Sequence, residues 1–393
     1  MQAPQSSTSQ SADHQGRRHM ARPTCSCLTC HAAPLPGAGI RLLAGILSAP
    51  RSGAHRREAI RKTWMRWPGV GTQMVVCFAL GSHHLSKRAR ASMSRDDVMW
   101  LDVDEIGVLS IPKVLAWWQA AAQAMHLFTH AVKLDDDSFV HVPNLITELS
   151  HSAAAPYLCL GPLAHAGYRA DIFRMCGWSW QHGRRNWRAR KCGERNFTTP
   201  FPFPLGALQL LSSKLVGAIG TSSDVDAFSI AANVSADLRS RESNEDVAMG
   251  YWIWRLAIER AFNVSYVYIN ERATNLGCFR NGGLYKRPRA DAVVIHRIKG
   301  AQGMHYVWGM LVDGKPHDEI NCARDARIEL PRNSFVFNKK FEDRVRDGSA
   351  SVDFDPKTNM ISMRFGKNPA AGLKLKRARN ASASRRPHRT PHR

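Results

Sequence analysis

Three features of this 393-residue sequence predict an α/β fold with a mostly parallel central sheet and helices on both faces. Short apolar runs of strand length alternate with longer segments of helical periodicity. Those runs are mostly apolar instead of alternating regularly with polar residues, as strands buried between two helix layers are. One run ends in an acidic triplet, and open α/β sheets gather ligands beyond the carboxyl ends of their strands. An apolar fraction of 44% supplies ample core material.

In chain order, residues 1–37 are rich in Ser, Gln, Pro and Ala and read as a disordered arm. "GIRLLAGILSAP" is a buried strand closed by Pro50. "HRREAIRKTWM" sets Arg57, Ile60, Arg61 and Trp64 at helical spacings, which places basic groups near an apolar anchor. "MVVCFALG" is a second strand, ending at Gly81, and "DVMWLDVDE" contains a third. "IPKVLAWWQAAAQAMHLF" is Ala-rich with Pro112 near its start, the signature of a helix. "THAVKL" is the strand that delivers Asp135, Asp136 and Asp137.

Farther on, "GYRADIFRMCGWSWQHGRRNWRARKCGERN" lacks clean periodicity and reads as a loop or irregular insertion. "PFPFPLGALQLLSSKLVGAI" reads as a proline-rich turn, a strand, and a helix opening near Ser212 or Ser213. In "SNEDVAMGYWIWRLAI", Ser243 or Asn244 would cap a helix with acidic groups in its first turn. "NVSYVYI" and "DAVVIHRI" are strand-like. Residues 311–366 read as a C-terminal extension of the folded part and 367–393 as a disordered basic tail.

Chemistry is expected at three places. Asp135 and Asp137 at a strand end can turn toward one ion, and hard divalent cations such as Mg²⁺ or Mn²⁺ take such oxygen ligands beside substrate phosphates. The triplet alone also suits a solvated acidic turn or a helix cap, but its apolar flanks bury like charges that then need a counter-ion. Glu245 and Asp246 suit either favourable charge at a helix N-terminus or a general base for an attacking hydroxyl. His296 ends a strand, where it is a satisfied polar group or, beside a metal, a further ligand.

Other classes are excluded by motif. The chain has no Walker phosphate loop, no G-x-G-x-x-G, no H-E-x-x-H and no G-x-S-x-G. Cys25, Cys27, Cys30 and His31 crowd into one segment without a second ligand pair, which argues against structural zinc. The odd count of nine cysteines supports no disulfide map. A formal charge of +23 favours acidic partners, although part of it lies in the tail. The basic residues assemble into no nucleic-acid module, so no nucleic-acid partner is expected. Sequons stand at Asn196, Asn233, Asn263 and Asn380.

Taken in order, "RREAIRKTW", "FALG", "KLDDDSFVHVPNL", "PFPFPLGALQLLS", "NEDVAMG" and "VVIHRIKG" resemble the motifs of the β-1,3-glycosyltransferases of glycosyltransferase family 31, across about residues 40 to 310. The resemblance implies a GT-A, Rossmann-like fold over 38–310 and an inverting transfer of a hexose, most simply galactose, from a UDP-sugar to a glycan hydroxyl in β-1,3 linkage. It also implies Mn²⁺ or another divalent cation as cofactor. By motif it places Asp135, Asp137 and His296 at the metal, and Asp246, or else Glu245, at the base. Arg57, Arg61, Trp64, Lys133, Asp135 and Asp136 fall on the donor-binding segments.

Phe203 departs from a tyrosine of the family's proline-rich segment, Pro204 from a cysteine often found there, and Gln209 stands near an expected aromatic. The Trp-rich stretch and basic composition are more similar to protozoan phosphoglycan β-1,3-galactosyltransferases than to animal members, and an anionic glycan acceptor would suit the charge. Family members are type II membrane proteins of the Golgi lumen. This sequence shows no anchor of that kind, which suggests a truncated or misassigned start. A donor- or glycan-binding paralogue without turnover, and a charge-driven polyanion binder, are the rival readings.

Overall fold

The computed structural model describes residues 39–83, 85–104, 111–170, 174–179, 197–234, 245–276, 288–298, 300–317, 350–355 and 360–365. The chain divides into two compact units, Met1–Ala323 and Arg324–Arg393. In the second, strands Ala350–Asp355 and Met360–Phe365 pair antiparallel.

The first unit is built on a seven-stranded sheet. Its strands are β1 (Leu42–Leu47), β2 (Met74–Gly81), β3 (Val98–Leu101), β4 (His130–Asp135), β6 (Leu158–Gly161), β10 (Gln209–Ser212) and β11 (Ser265–Tyr268). The order is β11-β6-β10-β4-β1-β2-β3, and only β10 runs antiparallel to its neighbours. This is the predicted mostly parallel α/β architecture, and the apolar runs explain it. Leu42, Ala44 and Ile46 enter one core and Leu43 the other, and β2 divides its residues in the same way.

One face is covered by α3 (Ile111–Ala124), α5 (Ser213–Gly220) and α7 (Glu245–Glu259). The other is covered by α1 (Ala54–Lys62), α4 (Val142–Ser150) and α8 (Ala301–Val312). Two further helices, α2 (Lys87–Met93) and α6 (Ser223–Val234), complete the described set. Among the described residues, no helix is long and apolar enough to cross a membrane. Cys77 and Cys176 each take part in a disulfide, and Cys159 is a buried free thiol.

Two expectations are corrected. The segment read as an irregular insertion, from Gly167, holds the end of β7 (Leu163–Arg169) and its antiparallel partner β8 (Arg174–Ser179). Its polar and aromatic residues hid the pairing because one strand, not periodicity within it, supplies the partner. The proline-rich turn is a strand, β9 (Phe201–Pro204), paired with β7. Proline is tolerated there because β9 is an edge strand of the β8-β7-β9 sheet. The turn comes later, where Leu208 N–H donates to Leu205 C=O. The cap expected at Ser243 or Asn244 and the arm and tail lie outside the described residues, as does the insertion from 180 to 196.

Candidate active site

Parallel order brings the carboxyl ends of β1, β2 and β4 to one edge, and β10, running the other way, starts there with Gln209. The turn after β4 closes with Ser138 N–H donating to Asp135 C=O. A short strand, β5 (Phe139–Val140), then pairs with β13 (Val294–His296), which is itself parallel to β12 (Ala273–Asn275). That pairing carries His296 to the aspartates, 159 residues after Asp137 in the chain.

His296 Nε2 lies 3.0 Å from Asp137 Oδ1 and 3.3 Å from Asp135 Oδ2. One ligand atom from each of Asp135, Asp137 and His296 falls within 4.8 Å of the others. Two carboxylate oxygens and one imidazole nitrogen form a donor set that suits a divalent first-row cation such as Mn²⁺. Burial opposes the imidazolium, but hydrogen bonds and charge from Asp135 and Asp137 outweigh it and push His296 up to about 9. Arg297, next in the chain, has φ 63, a left-handed conformation unusual outside glycine, and the following Ile298 N–H donates to Asp137 C=O.

The second half of the site is joined to the first by Lys133. Its side chain is 1% exposed, and Nζ lies 2.8 Å from Asp135 Oδ1 and 3.9 Å from Asp246 Oδ1. Burial works against the ammonium, but Asp135, then Asp246 and Glu245, overcome it and raise its pKa. For Asp135, burial is outweighed by Lys133 and His296, and its carboxyl is held well below the usual range.

Asp246 and Glu245 open α7. Burial is the main cause that lifts Asp246 to about 6, with Lys133 opposing. Burial and then the charge of Asp246 lift Glu245 to about 8. Glu245 Oε2 is buried without a hydrogen-bond partner.

The other expected donor-site residues are held by protein partners. Asp136 accepts from Ser48 Oγ at 2.7 Å and lies 2.9 Å from Arg56 Nε. Arg57 donates to the carbonyls of Ala49 and Pro50 and to Ser48 Oγ, so it fixes the loop after β1. Arg61 pairs with Asp97 and lies over the Phe78 ring. Trp64 is fully buried, and its Nε1 donates to Ser138 C=O, just past the acidic turn. Arg57, through Ser48 Oγ, and Trp64 brace the acidic turn, while Arg61 is held by Asp97 just before β3.

Sequence reasoning did not single out Arg56, Ser48, Gln209 or Gly206 as site residues. Gln209 Nε2 donates to Asp246 Oδ1 at 2.8 Å. A Cβ at Gly206 would lie 2.5 Å from Asp135 Oδ2 and 2.9 Å from Lys133 Nζ, so the backbone approaches closely there. Gly206 was legible as part of a motif, but the contact that requires it was not.

The family model for galactosyltransferases matches residues 55–263, more than half of the chain. The chain belongs to this galactosyltransferase family. The match holds Lys133, the three aspartates, Gln209, Glu245 and Asp246, while His296 lies beyond it. The mostly parallel sheet with helices on both faces, and acidic groups at its strand ends, is the GT-A arrangement expected of such a galactosyltransferase. Among curated relatives, the hydroxyproline O-galactosyltransferase GALT2 of Arabidopsis thaliana is 28% identical over 137 residues, 34% of this chain and 20% of that protein. The match therefore spans about a fifth of that relative's length. Among solved structures, the galactosyltransferase LgtC, crystallised with donor and acceptor sugar analogues, aligns with a TM-score of 0.33 and 12% identity. That alignment covers 65% of this chain and 86% of that one.

Proposed function

We propose that this chain is an inverting transferase that moves galactose from UDP-galactose to a glycan hydroxyl in β-1,3 linkage. The observation that carries the reading is Lys133, which joins a divalent-cation donor set to a separate buried carboxylate, Asp246. Membership of the galactosyltransferase family supports the sugar, and the family 31 resemblance supports the linkage.

Asp135, Asp137 and His296 would hold Mn²⁺, which when bound supplies Lewis-acid stabilisation of the charge on the departing diphosphate. Asp246 accepts the proton of the attacking hydroxyl. As that oxygen bonds to the anomeric carbon, the bond to the UDP oxygen breaks, and one in-line displacement inverts the centre without a protein nucleophile. A carboxyl at about 6 is ionised at neutral pH yet more basic than an ordinary aspartate. Glu245, at about 8, stays protonated there and can donate a hydrogen bond. Asp136, tied to Ser48 and Arg56, shapes the turn.

The departure at Phe203 falls in the buried strand β9 and does not favour the non-catalytic reading. The disulfide-bonded cysteines and the exposed sequon at Asn263 suit a secretory compartment such as the Golgi lumen, and the excess of basic residues suits an anionic acceptor. The test is UDP release with UDP-galactose, UDP-N-acetylglucosamine and UDP-N-acetylgalactosamine, with and without chelator. Asp137→Ala should abolish transfer and metal-dependent UDP binding. Asp246→Asn should keep that binding and lose about 10²–10⁴ in turnover. Full activity of either variant contradicts these roles.

A further inference from the structure

We propose that Gln209 is a positioning residue for this reaction, whose side-chain amide holds the Asp246 carboxylate in the orientation that receives the acceptor's proton. The inference rests on the proposed role of Asp246. In the antiparallel register Gln209 sits directly opposite Lys133, so the two side chains leave the sheet on the same face. Lys133 Nζ reaches Asp135 at 2.8 Å, and Gln209 Nε2 reaches Asp246 at 2.8 Å. One cross-strand pair therefore holds the carboxylate of each half of the site, and the sheet sets their separation.

The direction of the amide is determined by its partners. Nε2 also faces the Pro204 carbonyl at 3.1 Å, and both partners only accept hydrogen bonds. A flipped amide would press its oxygen against a carboxylate. The nitrogen therefore faces Asp246, and Oε1 is left buried without a partner in a residue that is 0% exposed. A residue kept only for packing would be apolar, or would satisfy both ends of its amide. An amide also adds a donor without adding positive charge to a carboxylate that already lies 3.9 Å from the Lys133 ammonium.

The variant Gln209→Met keeps length and removes the donor. Its kcat should fall about 10- to 100-fold, as misplacement of a reacting group does, while the KM for UDP-galactose and the Mn²⁺-dependent affinity for UDP change less than about twofold. Gln209→Glu, which sets a like charge beside Asp246, should lose at least as much kcat. In the Asp246→Asn background, Gln209→Met should leave the residual turnover unchanged, and the two substitutions should be non-additive in thermal unfolding. An unchanged kcat, an equal loss in both backgrounds, a parallel loss of UDP binding, or additive shifts in Tm would each overturn the assignment. Absence of turnover by the unsubstituted chain with every UDP-sugar would instead overturn the proposed function, and this role with it.

Discussion

Lys133 holds an ammonium almost wholly out of water, which is stable only because carboxylates surround it. Replacing it by Met leaves Asp135 and Asp246 without that charge and should destabilise the metal-free protein by about 3–5 kcal/mol in urea unfolding. Arg should not rescue it, since a planar fork does not fit the position of a point charge. The two carboxyls of α7 make a second prediction. Asp246 must be ionised to accept a proton, and burial sets it at about 6, so kcat/KM should decline as pH falls through about 6. A profile flat from pH 7 to 5 would remove Asp246 from the role of base. At this scale the residue types were legible in the sequence, because an acidic triplet between apolar runs needs a counter-ion. Their partners were not: Arg56, Ser48 and Gln209 reach the site from other elements, and no local spacing announces such contacts.

Most strands of the sheet could be read from the sequence, because a strand buried on both faces is largely apolar, but Leu158–Gly161 was not read. Met74–Gly81, buried at every position, is the example. The helix Ile111–Ala124 was equally plain from its composition and Pro112. The pair β7 and β9 was not, since their stability comes from each other and from α7 packed on β9. A Cβ at Gly250 on α7 would lie 2.2 Å from Phe203 Cβ, so only glycine lets helix and strand approach so closely. Gly250→Ala should therefore destabilise the chain by about 1–3 kcal/mol, seen as a lower urea midpoint with unchanged slope. Gly206→Ala belongs to the same class but should act on function. Its Cβ meets Asp135 and Lys133, so metal-dependent UDP binding should fall more than stability does.

Across the whole molecule, the proposed metal binding would be linked to protonation. In the metal-free protein His296 is pushed up to about 9, so a cation that takes its nitrogen must expel a proton. Mn²⁺ affinity should rise with pH through the neutral range, by up to tenfold per unit, and level off above about 9. Calorimetry in buffers of different ionisation enthalpy should register about one proton released per ion at pH 7. The most direct test of the central claim is UDP binding to the full chain, measured with and without Mn²⁺ alongside UDP release from UDP-galactose, for the unsubstituted protein, Asp137→Ala and Asp246→Asn. Mn²⁺-dependent binding that vanishes in Asp137→Ala but survives in Asp246→Asn, with turnover lost in both, is the predicted result. Binding indifferent to Mn²⁺, or turnover retained by Asp246→Asn, would contradict the account.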